Sequence, residues 1–136
     1  MRVILDTNIL ISALLVQSGA PGTIYRGWVE GAFTLLTCRE QLRELRATLR
    51  KPALVSRIRP HEAGRMVNDL QRLALMVDPL PRVVRSPDPE DDFLLAVAEA
   101  GGADYLVTGD KSGLLDLKRH ERTRITSAAE FAKLLR

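Results

Sequence analysis

Short apolar runs that end in polar residues and give way to helical patterns recur along this chain, and the alternation confines it to an α/β architecture on a parallel sheet. Val3-Ile4-Leu5 runs into Asp6-Thr7-Asn8, and Tyr105-Leu106-Val107-Thr108 runs into Gly109-Asp110. Phe33-Thr34-Leu35-Leu36, Leu75-Met76-Val77 and a short run centred on Ile125 read as further strands. Strands covered on both faces tend to be continuously apolar, as Val3-Ile4-Leu5 and Leu106-Val107 are, so helices are expected on both sides.

Between the strands, the spacing predicts a helix over Ile9 to Val16 and another carrying Ile24, Tyr25, Trp28 and Val29, stopped by Gly31. Thr37 with Glu40 reads as a capping box for a helix running to about Lys51. Ala53 to Ala74 is helical in pattern with a break near Pro60. Asp88 caps and Pro89 opens a helix over Glu90 to Ala100, ended by Gly101-Gly102, and Ser127 with Glu130 opens the last helix.

A chain of 136 residues that is 46% hydrophobic accommodates one domain over 1–136 with a sizeable core and no linker. One cysteine, Cys38, allows no intrachain disulfide, and with only His61 and His120 there is no Cys/His metal pattern. A reducing, cytoplasmic setting is expected. Asp6 and Asn8 interrupt the apolar start, which therefore reads as a strand and a buried helix rather than a signal peptide, and no run reaches the roughly 18 apolar residues of a membrane span. A net charge of +3 permits a polyanionic partner without demanding one.

Ligands of parallel sheets bind at the carboxyl ends of the strands. Asp6 and Asp110 sit at such ends, and the fold would bring Glu44 and Asp91 to the same edge. Helical acids are ordinarily paired with a base three or four residues away. Glu44 has Gln41, Ala47, Glu40 and Thr48 there, and Asp91 has Asp88, Leu94, Pro87 and Leu95, so neither has a helical ion partner. Asp88, Glu90 and Asp92 compete with Asp91. Leu94, Leu95 and Ala98 mark the side of Asp91 as inward, whereas Asp92 meets Glu99 on a wetter side; a one-residue shift of register would exchange the two. Converging carboxylates would repel by roughly 4 kcal/mol per pair at an effective dielectric near 20. An all-oxygen set calls for Mg²⁺ or Mn²⁺, which suits phosphodiester hydrolysis. Asn8 and Thr108 stand where they could orient ligands, or serve as plain turn and strand-end residues.

The opening Leu-Asp-Thr-Asn-Ile-Leu-Ile-Ser, Glu44 in Gln-Leu-Arg-Glu-Leu, the run Asp-Pro-Glu-Asp-Asp-Phe-Leu-Leu-Ala-Val-Ala and the segment Ala-Asp-Tyr-Leu-Val-Thr-Gly-Asp-Lys together resemble PIN-domain nucleases. The ending Arg-Ile-Thr-Ser-Ala-Ala-Glu-Phe resembles the VapC-like toxin components of toxin-antitoxin systems. The resemblance covers essentially the whole chain. It implies a single domain with a five-stranded parallel sheet and helices on both faces, and a Mg²⁺- or Mn²⁺-dependent endoribonuclease acting on single-stranded RNA. Carried over by position, Asp6, Glu44, Asp91 and Asp110 are the metal acids, with Asn8 beside them. A homodimer and an antitoxin protein as partners are implied too. Where some relatives place a further acid, this chain has Ser112, with Asp116 as the nearest substitute.

Arg39, Arg43, Arg46 and Arg50 form one helical stripe about 130° around from Glu44. It is a solvated row, a phosphate track or an acidic-partner surface. Lys118, Arg119, Arg122 and Arg124 form a second basic cluster with the same alternatives, and Tyr25 and Trp28 stack on bases or fill core. Two other functions compete with the ribonuclease. A phosphatase-like domain using Asp6 as nucleophile would want a second aspartate where Asn8 stands. An inactive RNA- or partner-binding module would have lost an acid, and none of the four is missing.

Overall fold

The computed structural model describes residues 1–109 and 113–135. Its sheet is built from β1 (Arg2–Leu5), β2 (Thr34–Thr37), β3 (Leu75–Met76), β4 (Tyr105–Val107), β5 (Arg119–His120) and β6 (Thr123–Thr126), in the order β3-β2-β1-β4-β6-β5. All neighbours are parallel except β5, which pairs antiparallel with β6. The helices are α1 (Thr7–Leu15), α2 (Ala20–Val29), α3 (Arg39–Leu49), α4 (Pro52–Val55), α5 (Pro60–Leu73), α6 (Asp92–Gly101), α7 (Leu114–Leu117) and α8 (Ala128–Leu134).

The expected purely parallel five-stranded sheet is therefore corrected to a mixed sheet of six strands. The parallel five are present; the addition is a two-residue polar strand whose own sequence carries no strand signal. Arg119-His120 is held by outside partners. The Arg85 guanidinium donates to the Arg119 carbonyl at 2.8 Å and meets His120 Nδ1 at 2.7 Å, while His120 Nε2 lies 2.7 Å from a Glu99 oxygen on α6.

Alternate side chains of the strands feed two cores, which is why the apolar runs are unbroken. Val3, Leu5, Leu35 and Val107 pack with residues of α1, α2, α3, α5 and α8. Ile4, Leu36, Leu106 and Ile125 pack with Leu94, Leu95, Val97 and Ala98 of α6 and with Leu114. Trp28, 4% exposed, belongs to the first core, and Tyr25 packs beside it with its hydroxyl donating to Asp69 at 2.8 Å. No helix among the described residues is long and apolar enough to cross a membrane.

The start of α3 differs from expectation, and the start of α8 agrees with it. The α3 cap is Cys38, and the Thr37 hydroxyl instead donates to Gln41 Oε1, whose amide donates to the Leu5 carbonyl. Thr37 therefore ties strand ends together rather than closing a capping box. At the other end of the chain Ser127 does cap, accepting from the Glu130 amide. The glutamate side chain of that pair turns to the Thr126 hydroxyl. Gly102, at φ 61°, ends α6 in the left-handed conformation that glycine adopts without strain.

Arg85 joins three otherwise separate pieces of chain, so Arg85→Ala should lower unfolding stability by about 1–2 kcal/mol. Urea denaturation checks this; an unchanged midpoint would show that β5 stands without the network.

Candidate metal centre

Asp6 follows the central strand and is 5% exposed, an unusual place for a carboxylate. It occupies the cap position of α1, yet its side chain makes no capping bond; its backbone carbonyl accepts from the amides of Ile9 and Leu10 instead. The carboxylate is aimed elsewhere. Its Oδ2 accepts from the buried Thr108 hydroxyl at 2.8 Å, which fixes it against the end of β4.

Asp6, Asn8 and Asp91 line one cleft of about 430 Å³ together with Ile9, Ser12, Asp88 and Gly109. Asn8 and Ser12 lie one helical turn apart on α1, a spacing that could have flagged Ser12. Asp88 caps the turn that precedes α6, accepting from the Glu90 amide at 3.0 Å, and lines the cleft as well.

Asp91 and Asp92 divide their labour sharply. Asp92 is 9% exposed, and its Oδ1 accepts from the amides of Arg85 at 3.1 Å and Ser86 at 2.7 Å. This corrects the expectation of a wetter side for Asp92. A 3₁₀ turn over Pro89–Asp91 precedes α6, and the partners of Asp92 come from the incoming segment, not from the helix. Asp91 makes no capping bond, and the amino end of α6 favours its negative charge.

Glu44 approaches from α3. Burial pushes its carboxyl above the usual carboxylate range, and the charges of Asp6 and Glu90 push it further, against the lowering influence of Thr7 and Lys51. The Thr7 hydroxyl is buried and has no direct hydrogen-bond partner among the described residues, although it lies close enough to favour the ionised form of Glu44. Asp6, Asn8 and Asp91 offer the cleft only oxygen donors, and Glu44, exposed on α3 and outside that lining, is close enough to feel the charge of Asp6 and to add a further oxygen. The donor set fits Mg²⁺ or Mn²⁺. Asp110 lies outside the described residues, and Asp116, exposed on α7, does not line the cleft.

Glu99, His120 and Glu121 also bring ligand atoms within 4.8 Å of one another, a grouping not foreseen from two isolated histidines. Arginine can only donate, so His120 Nδ1 accepts from Arg85 and Nε2 carries the hydrogen given to Glu99. With both nitrogens so engaged, the imidazole serves as a structural bridge from β5 to α6. Nor is Cys38 a nucleophile. It is buried, and burial pushes its thiol up to about 11.

Residues 2–112 match the family model described as PIN domain. No curated protein matches the chain.

Asp92→Ala should destabilise the fold by about 1–3 kcal/mol by stranding two amides, whereas Asp91→Ala should cost less stability and weaken Mn²⁺ binding. Thermal unfolding and calorimetric metal titration of both variants decide the assignment, and the reverse pattern would exchange the residues. For Glu44 the pKa is raised on folding, so its contribution favours the folded state below the ordinary carboxylate range and is lost as pH rises through the raised value. Glu44→Gln should therefore raise the melting temperature of chelator-treated protein at neutral pH by roughly 1–3 °C, with the gain vanishing near pH 4.

Proposed function

This chain belongs to the PIN-domain family, and we propose that it is a metal-dependent endoribonuclease hydrolysing phosphodiester bonds of single-stranded RNA. PIN domains are in general metal-dependent nucleases. The observation that carries the reading is the buried Asp6, turned away from its own helix and held by Thr108 in a cleft it shares with Asn8 and Asp91.

Asp6, Asp91 and Glu44 hold the metal in this reading, and Asp110 joins them by the motif alone. A bound Mg²⁺ or Mn²⁺ supplies Lewis-acid charge at the scissile phosphate and acidifies the attacking water. The chain's own residues set the geometry. Thr108 restrains the Asp6 side chain, and Asp92 locks the turn that presents Asp91. The raised Glu44 carboxyl must lose its proton before it can serve as a ligand, so metal binding is expected to weaken as pH falls through that value. Asn8, exposed at the cleft, is placed to donate to a phosphate oxygen.

The proposal extends to a toxin of a toxin-antitoxin pair acting in the cytoplasm as a homodimer. That extension is supported by the resemblance of the segment from Arg124 to Phe131. Exposed Met1, Val29 and Leu73, which surround one shallow recess, offer apolar surface to a second copy.

Purified protein free of any partner should cut a mixed single-stranded RNA pool with Mn²⁺ or Mg²⁺, and both chelator and Asp6→Asn should reduce cutting at least about 100-fold. RNA binding without metal-dependent cutting would replace the nuclease with a binding module on the same fold.

A further inference from the structure

We propose a second phosphate-binding site on the β5–β6 hairpin, built from Arg119 and Arg124, that grips single-stranded RNA away from the catalytic cleft. It deepens the ribonuclease reading and rests on it for the identity of the nucleic acid. The pocket measures about 370 Å³ and is lined by Met1, Asp104, Tyr105, Arg119, Arg122 and Arg124. Tyr105 and Arg124 stand near the amino ends of β4 and β6, whereas Asp6 and Gly109 mark the opposite end of the sheet. The two sites are therefore separate.

The register is the unusual feature. Arg119 and Arg124 are direct cross-strand partners, and Tyr105 is the parallel partner of Arg124, so these three side chains form a row on one face of the sheet. Like charges directly opposite one another destabilise a hairpin. Here nothing in the described residues relieves them. The acid lining the pocket, Asp104, accepts from the Arg2 amide at 2.7 Å and from Arg122 at 2.9 Å, and these contacts hold its carboxyl below the usual range. It neutralises Arg122, and among the described residues the side chains of Arg119 and Arg124 have no carboxylate partner. The hairpin itself is fixed. The Arg124 amide donates to Asp104, the Ile125 amide to Lys118, and the Arg119 carbonyl accepts from Arg85. Two guanidinium groups are thus presented from a restrained backbone.

Guanidinium pairs recognise phosphate through paired N–H donors, and the partly exposed Tyr105 beside them, its ring packed on Phe131, adds only a small apolar edge. Protein interfaces need an apolar centre, and this pocket has only Met1 and part of Tyr105 to supply one. RNA is favoured on that ground over an acidic polypeptide. Lys118, which the sequence groups with the arginines, does not line the pocket.

The test measures binding of a fluorescein-labelled mixed-sequence single-stranded RNA to the full chain carrying Asp6→Asn, with and without Arg119→Ala and Arg124→Ala, across a salt titration. The double change should weaken binding roughly tenfold. It should also lower the magnitude of the salt slope by about 1.4, the value for two lost phosphate contacts on a single strand. The melting temperature should hold or rise, because a like-charge pair is removed. Arg119→Gln with Arg124→Gln repeats the test should alanine disturb the hairpin. Unchanged affinity and slope in a folded double variant overturn the proposal. Displacement of RNA by poly-L-glutamate at equal charge concentration also overturns it, in favour of an acidic polypeptide. With Asp6 intact and Mn²⁺ present, the double variant should raise KM and spare kcat. A parent chain that binds RNA through these arginines but never cuts it would sink the nuclease reading and leave this site standing; a chain that cuts RNA equally well without them would do the reverse.

Discussion

A carboxylate buried at the end of the central strand sets the terms for the rest of this molecule. Asp6 sits where β1 ends between β2 and β4, at 5% exposure, with Glu44 near enough to feel its charge. Taking a carboxylate out of water costs several kcal/mol unless donors or a cation compensate. The Thr108 hydroxyl is one donor that the fold supplies, from the next strand of the sheet. A parallel sheet makes this arrangement natural. Strand ends collect on one edge together with the amino termini of the following helices, where partial positive charge gathers. In the proposed reading, a bound cation would offset the cost that remains.

The strands were legible because they are the most local signal the chain carries. Three apolar residues in a row, followed at once by a polar loop, leave few alternatives. The edge strand was not legible, since Arg119-His120 is polar and its support comes from Arg85 and Glu99, each more than twenty residues away in sequence or bound through a third residue. Thr37 failed as a cap for a similar reason: its hydroxyl serves a bond to Gln41 that continues to Leu5 across the sheet. Periodicity placed Asp91 on the inward side but misjudged Asp92. A helical wheel counts only neighbours on the same helix, and the amides that bury Asp92 belong to the strap that precedes it.

That strap links the cleft lined by Asp6 and Asp91 to the far edge of the sheet. Asp92 fastens the amides of Arg85 and Ser86, Arg85 reaches the β5 backbone and His120, and His120 returns to Glu99 on α6. The loop is closed: it begins at the amino end of α6, passes through the strap and the hairpin, and ends about two helical turns further along the same helix. Asp91 is presented from one corner of it. Its position is thus defined by side-chain bonds over and above the helix that follows, as the proposed role of Asp91 in holding a metal would require.

The same loop decides which changes at the hairpin can be interpreted. Arg119 contributes to the network through its backbone carbonyl alone, whereas its side chain belongs to the basic pocket. Arg124 likewise donates its amide to Asp104 and offers its side chain to the pocket. Replacing these two side chains therefore alters the charge of the pocket while leaving intact the Asp92, Arg85 and His120 bonds that fix the turn before α6. Arg85 has no such separation, because its guanidinium is itself the strut. A loss of cutting caused by removing Arg85 would reflect a displaced ligand turn, whereas a loss of RNA affinity caused by removing Arg119 and Arg124 can only report on the surface they make.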